Sequence, residues 1–195
     1  MPRRRRPRRS PRRRPSRVGG RAVGHTEAVA SSRYHEMTFS GTVGRGQAAF
    51  DSASAAVLSL RMHRKAGVRM TMPNDTVGVG DVVRIAFGVG PVALHGSCDV
   101  VWVVDEPRRR GFRYRTRPDH PEDGEESFVV DWAADDDVVV TIESRARPNM
   151  LIMRLAGPVG RLGAALVNRR YLWAVRKIVA SETGGLRPTG QAESA

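Results

Sequence analysis

Residues 115–128, RTRPDHPEDGEESF, concentrate side chains that can move protons or hold a metal ion. They contain one histidine, His120, and five acids, Asp119, Glu122, Asp123, Glu125 and Glu126. Carboxylates beside a histidine raise its pKa, which suits acid–base chemistry. The acids follow no calcium-loop spacing, however, and a zinc site would usually need two or three more ligands nearby. Because prolines and Asp-Gly favour turns, a structural turn is preferred to a ligand-contacting lid or a metal site.

Glu126 is the acid whose position the pattern defines best. In a strand it shares one face with Phe128 and Trp132, because side chains alternate between the two faces. If that face lines a cavity, Glu126 lies at its mouth, near Tyr114. A carboxylate beside aromatic rings has a raised pKa and can serve as an acid or a base. The alternative is that Glu126 sits at the strand end and reaches water or Arg145.

Five further positions complete the expected binding surface. Trp102 and Phe128 alternate with other residues along strands, where they belong either to the core or to a binding platform. His63 lies near the end of a helix, where it contacts ligand or caps the helix. Met150 and Met153 suit a cavity wall because methionines adapt to irregular ligands. The predicted ligand-binding residues are therefore Trp102, Tyr114, Glu126, Phe128, His63, Met150 and Met153, with no metal ion and no cofactor.

The elements that position these residues follow from the period of the apolar residues. An alternation of two predicts strands at 33–43, 81–88, 98–105, 111–117, 125–132 and 137–147. Helical spacing predicts one helix at 44–67 and another from Pro148 to Ser181, kinked or restarted at Gly157-Pro158. Successive strands with short connections pair as an antiparallel meander.

The sheet and the C-terminal helix each have one apolar face to bury. The stripe on the helix comprises Leu151, Leu155, Val159, Leu162 and Leu166, continued by Leu172, Val175 and Val179. The predicted fold class is therefore α+β, a helix-grip (START-like) fold with a curved antiparallel sheet wrapped on a long C-terminal helix. This packing tends to leave a cavity between the sheet and the helix.

The net charge of +13 is concentrated at one end of the 195-residue chain. Residues 1–17 hold ten arginines, which leaves 23 basic and 20 acidic residues elsewhere. Residues 1–22 are predicted to be a disordered Arg/Pro-rich tail because they cannot bury enough surface to offset their ordering entropy. This tail either binds polyanions such as nucleic acid weakly, by counterion release, or is a dispensable leader. Residues 23–181 form the single predicted domain, and 182–195 a second disordered tail.

Charge is also segregated within the predicted domain. Residues 118–144 contain ten acids and no Lys or Arg, whereas residues 145–181 contain eight Lys or Arg and no acid. The favoured interpretation is that the last hairpin and the C-terminal helix meet at one rim of the fold. The alternative is a basic amphipathic helix that lies on a membrane or a partner.

Cys98 is the single cysteine, which excludes an internal disulfide, a CxxC redox pair and a multi-cysteine zinc site. Its alternation with apolar residues predicts a buried thiol. No stretch offers 18 uncharged apolar residues, so no transmembrane helix is predicted. The expected location is a reducing cytoplasm.

Three segments resemble a known family. They are GRGQAAF…MHRKAG, VVDEPRRRGFRYRTRPDHPEDGEESFVV and GPVGRLGAALVNRRYLWAVRK. Over roughly residues 23–180 the chain resembles the uncharacterised domain-of-unknown-function family nineteen-ninety, which is grouped with the START-like or SRPBCC-like helix-grip proteins. The resemblance implies the helix-grip fold and favours binding of an apolar molecule, and it implies no known reaction.

Three functions stay open at the level of the sequence. The first is binding of a small apolar or lipid-like ligand in the cavity. The second is an enzyme on the same scaffold, with Glu126, Tyr114 or His63 as acid or base. The third is polyanion binding through the arginine tail. No nucleophile triad, phosphate loop, dinucleotide fingerprint or zinc pattern supports a named reaction, and the oligomeric state is left open.

Overall fold

A computed structural model describes residues 34–87, 93–149 and 151–184 of the chain. The strands are β1 (His35–Arg45), β2 (Arg69–Thr71), β3 (Val82–Phe87), β4 (Leu94–Glu106), β5 (Arg109–Thr116), β6 (Glu122–Trp132) and β7 (Asp137–Pro148). The helices are α1 (Gly46–Leu58), α2 (Arg61–Lys65) and α3 (Leu151–Thr183). Met150 and the predicted tail at residues 1–22 lie outside the described residues, as do residues 185–195.

The seven strands form one antiparallel sheet in the order β1-β7-β6-β5-β4-β3-β2. Strands β3 to β7 follow one another as the predicted meander, and β1 pairs with β7 at the far side. The core lies between this sheet and the helices, and its fully buried members include Phe50, Phe112, Phe128, Val130, Val140 and Ile142. From α3, Tyr171, Leu172, Val175 and Val179 pack into the same core. The predicted α+β helix-grip fold is confirmed.

The first helical segment is broken near its middle, although its pattern predicts one helix at 44–67. Leu60 has a φ of 58° and separates α1 from α2. Its side chain is fully buried, so burial of leucine in the core holds the backbone in a region that L-residues rarely adopt. The edge strand β2 is not predicted, because three residues are too few to establish an alternating pattern.

A β-bulge in β4 overturns the predicted side-chain directions along that strand. Val100 pairs with Tyr114 and Trp102 pairs with Arg113, so Val101 is an extra residue on one side of the ladder. Val100 is buried, whereas Trp102 is 37% exposed. The inserted residue moves all later side chains to the opposite face, as a one-residue slip does in any strand. The placement of Trp102 on the cavity face is therefore wrong.

Helix α3 runs continuously through Gly157 and Pro158 to Thr183, so the predicted restart does not occur. Leu172, Val175 and Val179 are buried as predicted, but Leu166 is 58% exposed. An α-helix advances 100° per residue, and the buried face around residues 171, 175 and 178 leaves position 166 outside it. No helix among the described residues has the length and apolar character needed to cross a membrane.

Three acids of β6, Asp123, Glu125 and Asp131, pair with arginines of neighbouring strands. Glu125 Oε1 lies 2.6 Å from Arg115 Nη2, and Asp123 Oδ2 lies 2.6 Å from Arg147 Nη2. Arg145, a possible partner of Glu126 in the sequence, instead lies 3.2 Å from Glu36. Side chains of adjacent strands stand opposite one another, so the sheet supplies these partners directly. Within the described segments, the ion pairs of these acids do not support a meeting of hairpin and helix.

Candidate functional site

A pocket of about 240 Å³ lies between the sheet and α3. Its wall combines apolar side chains from both layers with a few polar groups. The lining residues are Leu94, Tyr114, Thr116, His120, Pro121, Glu122, Gly124, Glu125, Glu126, Ser144, Ala146, Gly163, Val167, Asn168 and Tyr171. Pockets of this composition, apolar with few convergent polar groups, are typical of small-molecule sites.

Tyr114 and Glu126 form the central polar pair of the pocket. They stand opposite each other in the β5–β6 ladder, and the Tyr114 hydroxyl donates a hydrogen bond to Glu126 Oε2. The pair follows from local pattern, because each side chain shares its strand face with inward apolar residues, Phe112 beside Tyr114 and Phe128 beside Glu126.

Burial raises the pKa of Glu126 to about 7, and the charge of nearby Glu122 acts in the same direction. The hydrogen bond from Tyr114 works against this rise but does not cancel it. Burial also raises the pKa of Tyr114 well above its usual range, so this hydroxyl keeps its proton. Near neutral pH the pair can therefore hold a carboxylic acid or a carboxylate at one place in the pocket.

Helix α3 contributes a second buried polar side chain. Asn168 is 3% exposed, and its side-chain oxygen has no hydrogen-bond partner among the described residues. Val167 and Tyr171 flank it on the pocket wall. A buried amide oxygen without a partner is costly, and such groups in native proteins call for an explanation. A ligand that donates a hydrogen bond would supply the missing partner.

The loop between β5 and β6 is the stretch that the sequence left open among turn, lid and metal site. It is held on one side by the Ser97 hydroxyl, which lies 2.8 and 2.9 Å from the two carboxylate oxygens of Asp119. On the other side, Asn149 Nδ2 donates to the carbonyl oxygens of Pro118, at 3.2 Å, and His120, at 3.1 Å. The Asn149 backbone N–H adds a 2.9 Å bond to Pro121. The loop is thus an anchored turn.

The anchored turn also forms part of the pocket wall, since His120 and Pro121 both line it. Gly96 lets His120 approach closely, because a Cβ at position 96 would stand 2.7 Å from the His120 ring. Burial lowers the pKa of His120, and its Nδ1 lies 2.9 Å from the Glu122 carbonyl oxygen. No group of three or more His, Cys, Asp or Glu side chains in the described part of the chain is arranged to hold a metal ion.

Of the seven predicted ligand-binding residues, the structure brings Tyr114 and Glu126 together at the pocket. Phe128 is fully buried beneath Tyr114, with ring centroids 5.8 Å apart, so it supports the site from the core. Trp102 faces the opposite side of the sheet. Met150 lies outside the described residues, and so does the side chain of Met153.

His63 neither lines the pocket nor caps a helix. It is fully buried, with its ring centroid 4.7 Å from those of both Phe128 and Tyr171. Neither ring nitrogen has a hydrogen-bond partner among the described residues. Burial, with a contribution from the positive charge of Arg64, lowers its pKa to about 3. The prediction of His63 as a ligand contact or acid–base group is therefore wrong, because its imidazole is neutral and enclosed by aromatic rings.

Several lining residues were not predicted from the sequence. Val167 and Tyr171 lie four residues apart, a helical spacing that extends the buried stripe of α3 by one turn. That spacing was a usable signal. Nothing in the sequence marked Asn168 as a pocket residue, because a polar residue beside a buried stripe usually faces solvent. Leu94 also went unnoticed, because the predicted strand began only at residue 98.

Comparison with known proteins assigns the chain to a family. The model of a family described as "Domain of unknown function (DUF1990)" matches residues 20–174. A protein from Deinococcus radiodurans, described as "UPF0548 protein", is 30% identical over 155 residues, which cover 73% of this chain and 74% of that protein.

Two solved structures show the same fold at low sequence identity. A hypothetical protein from Helicobacter pylori aligns with a TM-score of 0.54 at 12% identity, over 76% of this chain and 87% of that one. A norcoclaurine synthase point mutant from Thalictrum flavum, in complex with a transition-state analogue, aligns with a TM-score of 0.52 at 13% identity. That alignment covers 77% of this chain and 96% of the synthase. At these identities the likeness concerns the fold.

Proposed function

The chain belongs to the family described as domain of unknown function DUF1990, and we propose that it binds a small, largely apolar ligand in the pocket between its sheet and its C-terminal helix. The observation that carries the proposal is the convergence of Tyr114, Glu126 and Asn168 on a pocket whose other walls are largely apolar. Apolar surface favours the ligand's burial, and the polar groups orient it. We place this binding in the cytoplasm, where the single thiol of Cys98 stays reduced.

The volume limits the size of this ligand. At about 240 Å³ the pocket is somewhat smaller than the roughly 300–1,000 Å³ of common ligand sites. A molecule with one or two rings is a better match than a long acyl chain. Lining residues from β4 to β7 and from α3 form its walls, so part of the ligand's surface would be removed from water.

A small neutral naphthalene dye, prodan, tests the proposal directly, because its emission reports an apolar environment. We expect wild-type protein to bind prodan and to lose this binding by tenfold or more when the pocket is filled. Val167→Phe fills it from the helix and Ala146→Leu fills it from the sheet, so failure of one variant to fold leaves the other. Thermal unfolding verifies that each variant is folded.

Two control variants separate filling of the pocket from general effects of substitution. Ala180→Leu adds an apolar side chain at an exposed position of the same helix. Trp102→Ser removes the exposed tryptophan on the other face of the sheet. Both should bind prodan within about twofold of the wild type. Equal binding by the filled variants and the wild type would contradict the proposal.

Native mass spectrometry of the protein purified from its own host is a separate measurement, which would identify any natural ligand that co-purifies.

A second candidate function is an enzyme on the same scaffold. Its support is the Glu126 carboxyl, whose pKa of about 7 suits a general acid or base and which is hydrogen-bonded to Tyr114 beside the pocket. His63 has no part in this candidate, because it does not line the pocket. Chemical conversion of a co-purifying ligand by wild type, and its loss in Glu126→Gln, would favour the enzyme over a carrier.

A further inference from the structure

The charged side chains that the structure describes in the pocket lining are strongly one-sided. Three glutamates, Glu122, Glu125 and Glu126, line it, and the described lining residues include no Lys or Arg. Glu125 has its own counterion, since its carboxylate lies 2.6 Å from Arg115. Glu126 receives a hydrogen bond from Tyr114, and the ion pairs of the described residues include none to Glu126. A half-buried carboxylate that no described Lys or Arg pairs with is unfavourable, so the pocket favours a molecule that brings a positive charge.

The hydrogen-bonding groups of the site also favour a positively charged molecule, one that donates hydrogen bonds. The Tyr114 hydroxyl already donates to Glu126, and the Thr116 hydroxyl oxygen is engaged by the Gly124 backbone at 2.8 Å. The Asn168 side-chain oxygen has no partner among the described residues. Carboxylates and amide oxygens accept hydrogen bonds, and an alkylammonium group has three donors and no acceptor.

Aromatic rings stand beside the acceptors. Tyr114 and Tyr171 both line the pocket, one from β5 and the other from α3. The faces of tyrosine rings attract cations, most strongly where water is excluded. Leu94, Pro121, Ala146 and Val167 provide apolar surface for the remainder of the molecule.

From these three observations we propose that the ligand is a small aromatic or aliphatic amine, bound as its ammonium ion with Glu126 as its counterion and Asn168 as a further acceptor. The assignment rests on the proposed ligand-binding function and adds the chemical class of the ligand. It also excludes carboxylic acids and phosphates from the same pocket, because a second anion would face Glu126 and Glu122 without a counterion.

The titratable groups around Glu126 determine how the pH dependence of ligand binding can be interpreted. Tyr114 on β5, Cys98 on β4 and Tyr171 on α3 face it, and all three have pKa values raised by burial, so they stay protonated near neutral pH. On its own strand Glu122 is the neighbouring acid, and its pKa is also raised by burial. The residue opposite on β7 is the uncharged Ser144. His120, from the turn after β5, also lines the pocket, and burial lowers its pKa, which favours its neutral form. As the pH rises through about 7, ionisation of Glu126 therefore favours a cation in the pocket.

A matched series of naphthalene compounds tests the assignment by displacement of prodan. 2-(1-Naphthyl)ethylamine, 2-(1-naphthyl)ethanol and 3-(1-naphthyl)propionic acid are similar in size and differ in the charge at one end. At pH 8 we expect the amine to displace prodan at a concentration about tenfold or more below that of the alcohol, with the acid the weakest. The preference for the amine should decline as the pH falls below about 7, because Glu126 takes up a proton while the amine stays charged.

Variants separate the roles of individual acids. Glu126→Gln should reduce the preference for amine over alcohol, the ratio of their displacement concentrations in the same protein, to about twofold or less. Glu143→Gln, which removes an exposed carboxylate on β7 with no place in the pocket lining, should keep the full preference. The pH series on wild type is independent of whether any variant folds.

Equal displacement by amine and alcohol at pH 8 would overturn the amine assignment, while prodan binding would still support the proposed pocket. An amine preference that persists in Glu126→Gln would overturn the role of Glu126 as counterion. Absence of prodan binding to wild type would overturn the proposed function, and the amine assignment with it.

Discussion

At the scale of single residues, burial decides which titratable groups can act. His63 is fully buried and Glu126 is half-buried at the pocket wall, and burial has opposite results for an acid and a base. It raises the pKa of the Glu126 carboxyl to about 7 and lowers the pKa of the His63 imidazole to about 3. Both shifts disfavour the charged form. Glu126 therefore titrates near neutral pH beside the pocket, whereas His63 stays neutral within the core.

The protonation of His63 should make the fold sensitive to acid. Its folded-state pKa, about 3, lies below the ordinary value of 6.5, so only the unfolded chain takes up this proton between those limits. Stability contributed by neutral His63 is complete above pH 6.5 and is lost as the pH falls toward 3. Between pH 7 and pH 4, we expect this one group to cost about 3 kcal/mol of unfolding free energy.

Urea unfolding of wild type and of His63→Leu at the two pH values measures this contribution. The variant has no imidazole to protonate, so its loss of stability on acidification should be smaller than that of wild type by about 3 kcal/mol. His63→Phe is a second variant that retains aromatic packing against Phe128 and Tyr171. Equal losses in wild type and both variants would mean that His63 titrates normally.

At the scale of elements, the anchored turn at residues 117–121 joins the sheet to the pocket. It packs on β4 through Gly96 and Ser97, and Asn149 holds it where β7 leads into α3. His120 and Pro121 reach the pocket only because these contacts fix the backbone. Damage to the packing of this turn should therefore affect both stability and ligand binding.

Gly96→Ala is the sharpest test of this packing. The added Cβ would lie 2.7 Å from His120 Cδ2 and 2.8 Å from His120 Cα, so the turn must move. We expect a loss of about 1–3 kcal/mol in unfolding free energy, and weaker prodan binding. At Gly163 in α3 a Cβ meets no atom of the described residues within 4 Å, so Gly163→Ala should be neutral or stabilising by up to about 1 kcal/mol. Similar stability of wild type and Gly96→Ala would show that the turn adapts freely.

At the scale of the whole molecule, the basic charge is divided between the domain and residues 1–17. Ten of the 33 Lys and Arg residues lie in that segment, whereas the strands pair their arginines with acids such as Glu125 and Asp123. Charges already paired within the sheet contribute little attraction to an external polyanion. The arginine-rich segment should therefore dominate any affinity for nucleic acid.

Binding to a short DNA duplex at several salt concentrations checks this expectation. The full chain should bind more tightly than a variant that begins at Val18, and its affinity should fall more steeply with salt, because more counterions are released. Prodan binding should be equal in the two proteins, since the described residues of the pocket lining all lie between Leu94 and Tyr171, which both proteins contain. Identical DNA affinity and identical salt dependence would place any polyanion site within the domain instead.

The sequence by itself determined the order of every strand except β2 relative to the helical segments, and most of the side-chain directions in β5, β6 and β7. These follow from alternation along a single strand, a local property, and for this reason Tyr114 and Glu126 could be predicted to lie together. Tertiary structure alone decided what depends on contacts between distant segments. The bulge at Val101 turns Trp102 outward, and the break at Leu60 divides a helix; neither leaves a periodic signal.

The same division applies to the candidate site. The acidic stretch after β5 was recognisable as a turn, but its attachment to Ser97 and Asn149 joins residues far apart in the chain. The core position of His63 and the pocket position of Asn168 depend on how α2 and α3 pack against the sheet. Sequence period determines which face a residue occupies within its element. Packing between elements determines whether that face meets core, pocket or solvent, because burial is a property of the assembled layers.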